Sequence, residues 1–373
     1  YGLEKRPIKV IEPYQMLGKL DDDLKELLGM DTLSVPSFTN MFGIKQQKWK
    51  EWTTPHGVDV LIPEDMNMTY DENNVYVYPE GDLTASPSAK MPDSSHFFDA
   101  IIRQEPIDED LLNPEDNLEE FSELSDEAMD YYKTSFENAA KSGKAVIANI
   151  GGTALGDIAL VPAPFLKNPK GIRDITEWYM STAIRQDYIH QVFEKQTDIA
   201  LKNLERVNRE CGENIDIMYI CGTDFGTQIS TFCSADTFRE LYMPYYKKLN
   251  NWIHKNTKWK TFKHSCGAIE PFIPLMIESG FDILNPVQCS AMGMDPVTLK
   301  EKYGDSICFW GGGVDTQHVL PFGTPQEVSD MVKERCEIFG KGGGFVFSSI
   351  HNIQAKTPVA NIVAMFDAFN QVR

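Results

Sequence analysis

Residues 259–267 read Trp259-Lys260-Thr261-Phe262-Lys263-His264-Ser265-Cys266-Gly267, and the prediction of the fold begins with them. The first of these residues favour a short β-strand, polar residues follow at once, and residues 268–279 then have the pattern of a helix. A short strand that ends in polar side chains and leads directly into a helix is typical of an α/β fold whose parallel strands are buried on both faces. The fold prediction therefore depends on how often this unit recurs.

The strand–helix unit recurs from about residue 140 to the end of the sequence. At least six such units follow that point, and residues 31–35 form a possible further strand. So many consecutive units favour an α/β fold of the (β/α)8 TIM-type barrel class over a doubly wound sheet. Strands are predicted at 144–149, 216–220, 259–263, 281–284, 307–310 and 344–348, and helices at 118–142, 171–185, 186–211, 234–255, 268–279, 294–303, 325–339 and 358–371.

The N-terminal part of the chain has a different pattern. Short β-rich runs at 58–62, 66–70 and 75–78, with a turn between the last two, predict a β-meander. A short acidic helix is predicted at 21–28, and 82–95 has the composition of a loop. We therefore expect two parts: residues 1–105 as a β-rich elaboration packed on the barrel, and residues 106–373 as the barrel that carries the active site.

Composition excludes several classes of protein. The 373 residues carry a net charge of −20, which argues against a nucleic-acid binder and against binding to an anionic membrane. Seven scattered cysteines, an odd number in a chain of this length, are typical of reduced thiols rather than of a disulfide framework. No apolar run approaches the roughly 18 residues of a membrane span. The sequence therefore predicts a cytoplasmic protein.

Polar residues gather where the predicted strands end. In a barrel of parallel strands, the carboxyl ends of all strands face one mouth, which is where active sites lie. The chemistry-bearing residues at these positions are Cys221, Thr223, Asp224, Thr227, Gln228, His264, Cys266, Asn285, Gln288, Asp315, Gln317, His351 and Asn352.

Three of these residues have the side chains of a catalytic zinc site. His264 and Cys266 lie two residues apart at one strand end, and His351 follows a later strand. One thiolate and two imidazoles would leave the fourth position of a tetrahedral zinc open for substrate. Cys221 and Cys289 are weaker candidates for a ligand, and a lone histidine at a strand end is often only structural.

Other strand-end residues are candidates for supporting roles. Asp224 and Asp315 either orient a ligand or a substrate, as catalytic residues, or cap the helices that follow. Gln228, Gln317 and Asn285 are the candidates for cofactor contacts. The glycine-rich runs at 311–313 and 342–344 either cradle a phosphate or mark tight turns and close backbone approach.

Several segments together resemble the uroporphyrinogen decarboxylase-like superfamily, and in particular its corrinoid-dependent methyltransferase branch. They are His264-Ser265-Cys266-Gly267 and residues 281–288, 311–317, 320–325 and 356–362. The resemblance covers residues 140–373 well and the N-terminal part loosely. It implies a (β/α)8 barrel and a zinc ion held by a His-x-Cys pair and a late Cys. His264 and Cys266 match the pair, whereas His351 stands at the late position.

The resemblance implies methyl transfer that depends on Zn2+ and on a corrinoid carried by a partner protein. Zinc with one thiolate and two imidazoles has a formal charge of +1, which favours polarising a methylated heteroatom over activating a bound thiol. We therefore expect a demethylase component that moves a methyl group from a small methoxy or methylamine substrate to a Co(I) corrinoid. For the oligomeric state, a homodimer is one possibility.

Four alternatives remain on the sequence alone. The methyl group could instead pass from a methylcorrinoid to a thiol. A porphyrinogen decarboxylase of this superfamily would carry an Arg-rich N-terminal motif, which Glu4-Lys5-Arg6-Pro7 does not resemble. A barrel-type zinc hydrolase would show an early His-x-His, and no His-x-His occurs. A corrinoid or metal carrier would need no open metal position.

Overall fold

The computed structural model describes residues 1–118 and 121–373, with the backbone alone for Cys221. The chain divides into two compact units. The first unit comprises residues 1–152 and 156–214, and the second comprises residues 153–155 and 215–373. A functional division at residue 105 stays a prediction.

The first unit contains two small sheets and a pair of parallel strands. One sheet has the order β2-β1-β5-β4, and the other is the antiparallel meander β6-β7-β8-β9. Strands β3 and β10 pair in parallel, with Thr32 opposite Ala145. The strands are β1 (Ile8–Glu12), β2 (Leu17–Gly18), β3 (Thr32–Val35), β4 (Trp49–Thr53), β5 (Asp59–Pro63), β6 (Met68–Tyr70), β7 (Asn74–Val77), β8 (Ala89–Pro92), β9 (Asp99–Ala100) and β10 (Ala145–Ala148).

The three predicted strands are present as β5, β6 and β7, but they do not form one meander, because β5 pairs with β1 and β4 whereas β6 and β7 belong to the other sheet. Strand β8 lies inside the stretch 82–95 that was predicted as a loop, and β1, β2, β4 and β9 were not predicted. Strand β8 is stabilised by tertiary pairing, since Val77 lies opposite Ala89 and both are fully buried. The two sheets share one apolar core that includes Phe42, Ile62 and Phe98.

The helices of the first unit are α1 (Asp22–Leu27), α2 (Asp126–Ala140), α3 (Ile175–Ile184) and α4 (Gln186–Cys211). The helix predicted at 118–142 begins later, at Asp126, because the hydroxyl of Ser125 accepts a hydrogen bond from the backbone N–H of Ala128 and caps it. Residues 119 and 120 of that prediction lie outside the described residues. Helix α4 buries one face, from Tyr188 to Cys211.

The second unit has five parallel strands, each hydrogen-bonded to the next along the chain. They are β11 (Ile217–Cys221), β12 (Lys260–His264), β13 (Ile283–Asn285), β14 (Cys308–Trp310) and β15 (Phe345–Val346). The helices are α5 (Ala235–Thr237), α6 (Met243–Asn256), α7 (Ile273–Glu278), α8 (Pro296–Tyr303), α9 (Val319–Phe322), α10 (Pro325–Gly340) and α11 (Val359–Val372).

The strand order in the second unit settles the fold class. The order follows the chain without a reversal, and a helix separates each strand from the next. A doubly wound sheet would reverse its order at a switch point, whereas a barrel does not. The fold is therefore α/β, of the TIM-barrel type, with N-terminal antiparallel strands, as predicted. The helix expected at 234–255 is interrupted by a π-helical segment, Phe238–Tyr242.

An aromatic cluster supports the loop that follows β11. The ring of Phe225 lies 4.9 Å from that of Phe238 and 4.8 Å from that of Tyr242, measured between centroids. The ring of Phe272 lies 5.8 Å away. Phe225 and Phe238 are fully buried, so the loop is anchored by packing rather than by solvent-exposed contacts.

In the described part of the chain, no helix combines the length and the apolar character needed to cross a membrane.

Candidate metal centre

Three side chains with metal-binding atoms converge at the ends of β11 and β12. Asp224 lies three residues after β11, His264 is the last residue of β12, and Cys266 follows two residues later. Their ligand atoms all lie within 4.8 Å of one another. The sulfur of Cys266 is 3.4 Å from Nε2 of His264, and that nitrogen is 3.6 Å from Oδ1 of Asp224. The three side chains are half-buried, so one side of the group is open to solvent.

A hydrogen bond to Asn285 sets the tautomer of His264. The side-chain NH2 of Asn285 donates to the carbonyl of Trp310 at 3.0 Å, so its Oδ1 faces the imidazole. Oδ1 lies 2.6 Å from Nδ1 of His264, which must therefore be the protonated nitrogen. The lone pair of the neutral ring then sits on Nε2, which points at Cys266 and Asp224. This is the arrangement by which outer partners orient a histidine ligand.

Asp224 also holds the loop that carries Cys266. Its Oδ1 accepts a hydrogen bond of 2.7 Å from the backbone N–H of Cys266. On the other side, the hydroxyl of Ser265 accepts from the backbone N–H of Phe225 at 2.9 Å. Two hydrogen bonds therefore join the loops. One runs between Asp224 and Cys266, and the other between their neighbours Phe225 and Ser265.

Two glycines allow these loops to approach each other. Gly267 has a φ of +90°, and a Cβ atom there would lie 2.3 Å from the carbonyl oxygen of Gly226. The next residue, Ala268, donates its backbone N–H to the carbonyl of Thr227 at 2.7 Å. Any side chain at 267 would push the loops apart and separate Asp224 from Cys266.

Two glutamines extend this network. Oε1 of Gln288 accepts from the backbone N–H of Gly267 at 2.8 Å, and its NH2 group donates to Oε1 of Gln228 at 3.0 Å. Gln288 is buried and Gln228 is exposed. Gln288 therefore ties the loop after β13 to the loop that carries Cys266.

The thiol of Cys266 is strongly perturbed. Burial, with a smaller contribution from the Asp224 carboxylate, raises the pKa of the Cys266 thiol to about 12. Without a bound cation the sulfur therefore carries its proton at neutral pH. A metal ion would have to displace that proton, since only the thiolate is a good ligand.

The geometry of the group fits a zinc ion. Zinc–ligand bonds of about 2.0–2.3 Å in a tetrahedron place the ligand atoms about 3.3–3.8 Å apart. The two separations from Nε2 of His264, 3.4 and 3.6 Å, lie in that range, and all the ligand atoms lie within 4.8 Å of one another. A neutral imidazole nitrogen, a carboxylate oxygen and a thiolate sulfur each offer a lone pair, so all three can bind one cation once the thiol has lost its proton.

His351 lies outside this group. Its side chain is exposed, and Nδ1 is 3.3 Å from the carbonyl of Asn352, its neighbour in sequence. Among the described residues, Asp224 rather than His351 completes a group of three with His264 and Cys266. The role of His351 as a ligand stays a prediction, and the geometry gives it no support.

The other predicted residues take different positions. Asn285 contacts His264, and Gln228 belongs to the network beside Gly267. Asp315 accepts hydrogen bonds from the backbone N–H groups of Gln317 and His318, at 2.7 and 3.3 Å, so it caps the turn before α9. Gln317 is exposed, and its Oε1 accepts from Ser290 at 3.2 Å. Catalytic and cofactor roles for Asp315 and Gln317 stay predictions.

Cys221 and Gly311 are two further residues that the sequence pointed to. The side chain of Cys221 lies outside the described residues. Gly311 has a φ of +118°, and a Cβ atom there would lie 2.1 Å from the carbonyl oxygen of Pro286. The glycine therefore permits close backbone approach, which was one of the two interpretations of the run at 311–313.

Sequence reasoning missed Lys263, which contacts the backbone beside the group. Its side chain is fully buried, and its Nζ donates to the carbonyl of Thr223 at 2.6 Å and to the carbonyl of His264. The available signal was a lysine directly after Thr261-Phe262, in a strand predicted to be buried on both faces. Such a residue is uncommon, because a buried charge needs close polar partners.

Comparisons with known proteins are consistent with this fold. In three dimensions the chain is similar to a methyltransferase from Methanosarcina mazei, with a TM-score of 0.51, 14% identity, and coverage of 93% of this chain and 82% of that chain. Likenesses to a GH113 β-1,4-mannanase (TM-score 0.30, 12% identity, 66% and 79% coverage) and to an endo-β-mannanase/endo-β-glucanase of Prevotella bryantii (TM-score 0.33, 12% identity, 69% and 40% coverage) are too low to carry an argument.

No curated protein matches the chain. The sequence model of the family described as uroporphyrinogen decarboxylase (URO-D) matches residues 158–372, which is more than half of the 373 residues. That range includes the ends of β11 and β12, where the three converging side chains lie. The chain belongs to the URO-D family.

Proposed function

We propose that this protein is a zinc-dependent methyltransferase whose metal ligands are Asp224, His264 and Cys266. The observation that carries the proposal is the convergence of these three side chains, with His264 held by Asn285 in the tautomer that binds metal. The open side of the group leaves room for a substrate at the fourth position. The name of the similar Methanosarcina mazei protein supports the same reaction class.

We propose further that the methyl group moves from a small methoxy or methylamine substrate to the Co(I) corrinoid of a partner protein. The bond from the methyl carbon to the heteroatom breaks, a bond from that carbon to cobalt forms, and the heteroatom leaves with a proton from solvent. Zinc held in this site supplies Lewis-acid polarisation of the heteroatom. The chain itself holds the ligands in register and keeps one face of the group open.

The charge around the site bears on the direction of transfer. With Asp224 in place of His351, zinc, one thiolate and one carboxylate have a formal charge of zero. Lys263 adds a positive charge directly behind the group, where its Nζ contacts the carbonyl of His264. Counted with this lysine the site carries +1, which suits polarisation of a heteroatom, whereas zinc and its ligands alone are neutral.

A second candidate is transfer from a methylcorrinoid to a thiol acceptor. The observation that favours it is the carboxylate of Asp224, because a neutral zinc keeps a bound thiolate nucleophilic. The two candidates share the site and differ in the direction in which the methyl group moves.

A spectroscopic screen distinguishes them. Methoxylated aromatic compounds and methylated amines are mixed with zinc-loaded protein and Co(I) cobalamin, and conversion to methyl-Co(III) is followed by absorbance. We expect turnover by the wild type, none by Cys266→Ser, and normal turnover by Cys233→Ser, which removes a partly buried thiol away from the group. Activity only with methylcobalamin and a thiol would reverse the direction, and no methyl transfer in either assay would contradict the proposal.

A further inference from the structure

We infer that Lys263 is a positioning residue that sets the geometry and the affinity of the metal centre. It lies on β12 between Phe262 and His264, and its side chain is fully buried. The inference rests on the proposed zinc site and goes beyond it, because Lys263 is not a ligand.

Lys263 contacts both neighbours of Asp224. Its Nζ donates a hydrogen bond of 2.6 Å to the carbonyl oxygen of Thr223, the residue before Asp224. The same Nζ lies 5.0 Å from the ring centroid of Phe225, the residue after Asp224. A cation over an aromatic face is attracted by the ring, so both contacts hold the backbone that carries Asp224.

Lys263 also contacts the backbone of a second ligand residue. Its Nζ donates to the carbonyl of His264. One amino group therefore joins the segment after β11, which carries Asp224, to the end of β12, which carries His264. The centroid of the Tyr246 ring, on α6, lies 6.0 Å from the same nitrogen and adds a second aromatic contact.

This placement explains why a lysine is buried in β12. Thr261 and Phe262 are buried in the same strand without a charge. A methionine of similar length would fill the space but could donate no hydrogen bond, so the Thr223 and His264 carbonyls would lose a shared partner. The segment that carries Asp224 would then be free to move relative to His264.

The test measures metal binding and does not depend on turnover. Metal-free wild type, Lys263→Met and Lys263→Gln are titrated with Co2+ in competition with a chelator, and the visible absorption of the bound ion reports its coordination. Loss of an outer partner typically lowers metal affinity by about 10- to 100-fold. We expect a loss of that size and an altered Co2+ spectrum for Lys263→Met, and an intermediate loss for Lys263→Gln, which keeps hydrogen-bond donors.

Lys260→Met is the matched control. Lys260 lies on the same strand, but its side chain is exposed and pairs with Asp282 at 3.5 Å. This variant should bind Co2+ like the wild type. Hydrogen exchange of the metal-free proteins should show faster exchange in residues 223–228 and 264–268 for Lys263→Met, and no change there for Lys260→Met.

Three results would contradict the inference about Lys263. Unchanged Co2+ affinity and an unchanged spectrum in a folded Lys263→Met would overturn the inference and leave the metal centre intact. A wild type that binds no Co2+ would overturn both the inference and the proposed function. If both Lys263 variants failed to fold while Lys260→Met folded, Lys263 would serve the whole barrel, and the inference would be wrong.

Discussion

The amide oxygen of Asn285 lies 2.6 Å from Nδ1 of His264, and the amide NH2 of Asn285 is held by the carbonyl of Trp310. This relationship decides which imidazole nitrogen faces Cys266 and Asp224. The residues come from three neighbouring strands, β12, β13 and β14, so the parallel sheet itself fixes the tautomer of the candidate ligand His264.

The first prediction concerns this hydrogen bond. Replacing Asn285 by leucine removes the acceptor, so the imidazole can rotate or change tautomer, and zinc affinity should fall by about 10- to 100-fold. Asn285→Asp keeps an acceptor for Nδ1 and should retain most of the affinity. Competition with a chromophoric chelator measures both. Equal affinities for Asn285→Leu and the wild type would show that the hydrogen bond does not orient the ligand.

The second prediction distinguishes Asp224 from His351 as the third ligand. Asp224→Ala should weaken zinc binding by more than the 10- to 100-fold typical of an outer partner, because it removes a ligand atom. His351→Ala should leave the affinity unchanged, since His351 is exposed and lies outside the group. The reverse pattern, measured by the same competition, would restore the ligand set predicted from the sequence.

The third prediction follows from the pKa of the Cys266 thiol, which burial raises to about 12. Between pH 7 and pH 9 the free thiol keeps its proton and the bound sulfur has lost it. One proton is therefore released per metal ion, and apparent zinc affinity should rise about tenfold for each pH unit. Calorimetry in buffers of different ionisation enthalpy counts the protons. A Cys266→Ala variant should release none, and an identical release by that variant would contradict the assignment.

The fourth prediction concerns the close approach of Gly226 and Gly267. Gly267→Ala combines a left-handed φ of +90° with a contact of 2.3 Å to a backbone oxygen, so it should lower the free energy of unfolding by about 4 kcal/mol or more. Gly342→Ala is the matched control, because it has a φ of +76° and nothing within 4 Å of its Cβ. That variant should cost only about 1–3 kcal/mol of backbone strain. Urea unfolding measures both, and equal losses would show that the loops can separate freely.

The barrel class could be predicted from the sequence because the strand–helix unit is a local pattern that recurs along the chain. Strand β12 was predicted at 259–263 and runs from Lys260 to His264. Its position follows from a few residues of high β-propensity and the helix after them. The helix expected from residue 118 begins only at Asp126, since a capping hydrogen bond by Ser125 outweighs the amphipathic pattern before it.

The candidate metal centre was predicted only in part, because two of its three residues, His264 and Cys266, were predicted as metal ligands. His264 and Cys266 are neighbours in sequence, so their convergence follows from the strand end. Asp224 was predicted at the same mouth from its strand end, but only as a residue that orients a ligand or substrate. Its contact with Cys266, 42 residues away, depends on the fold of the loop after β11. His351 was also chosen from its strand end. The register of the loops is set by Gly226, Gly267 and Lys263, and these contacts appear only in the folded chain.

A crystal structure of the zinc-loaded protein, with diffraction data on both sides of the zinc absorption edge, would show whether Asp224, His264 and Cys266 hold the ion. We expect one anomalous peak per chain, about 2.0–2.3 Å from Nε2 of His264, the sulfur of Cys266 and an oxygen of Asp224. Absence of a peak at this group, or a zinc ion bound by His264 and Cys266 while Asp224 points away, would contradict the proposed ligand set.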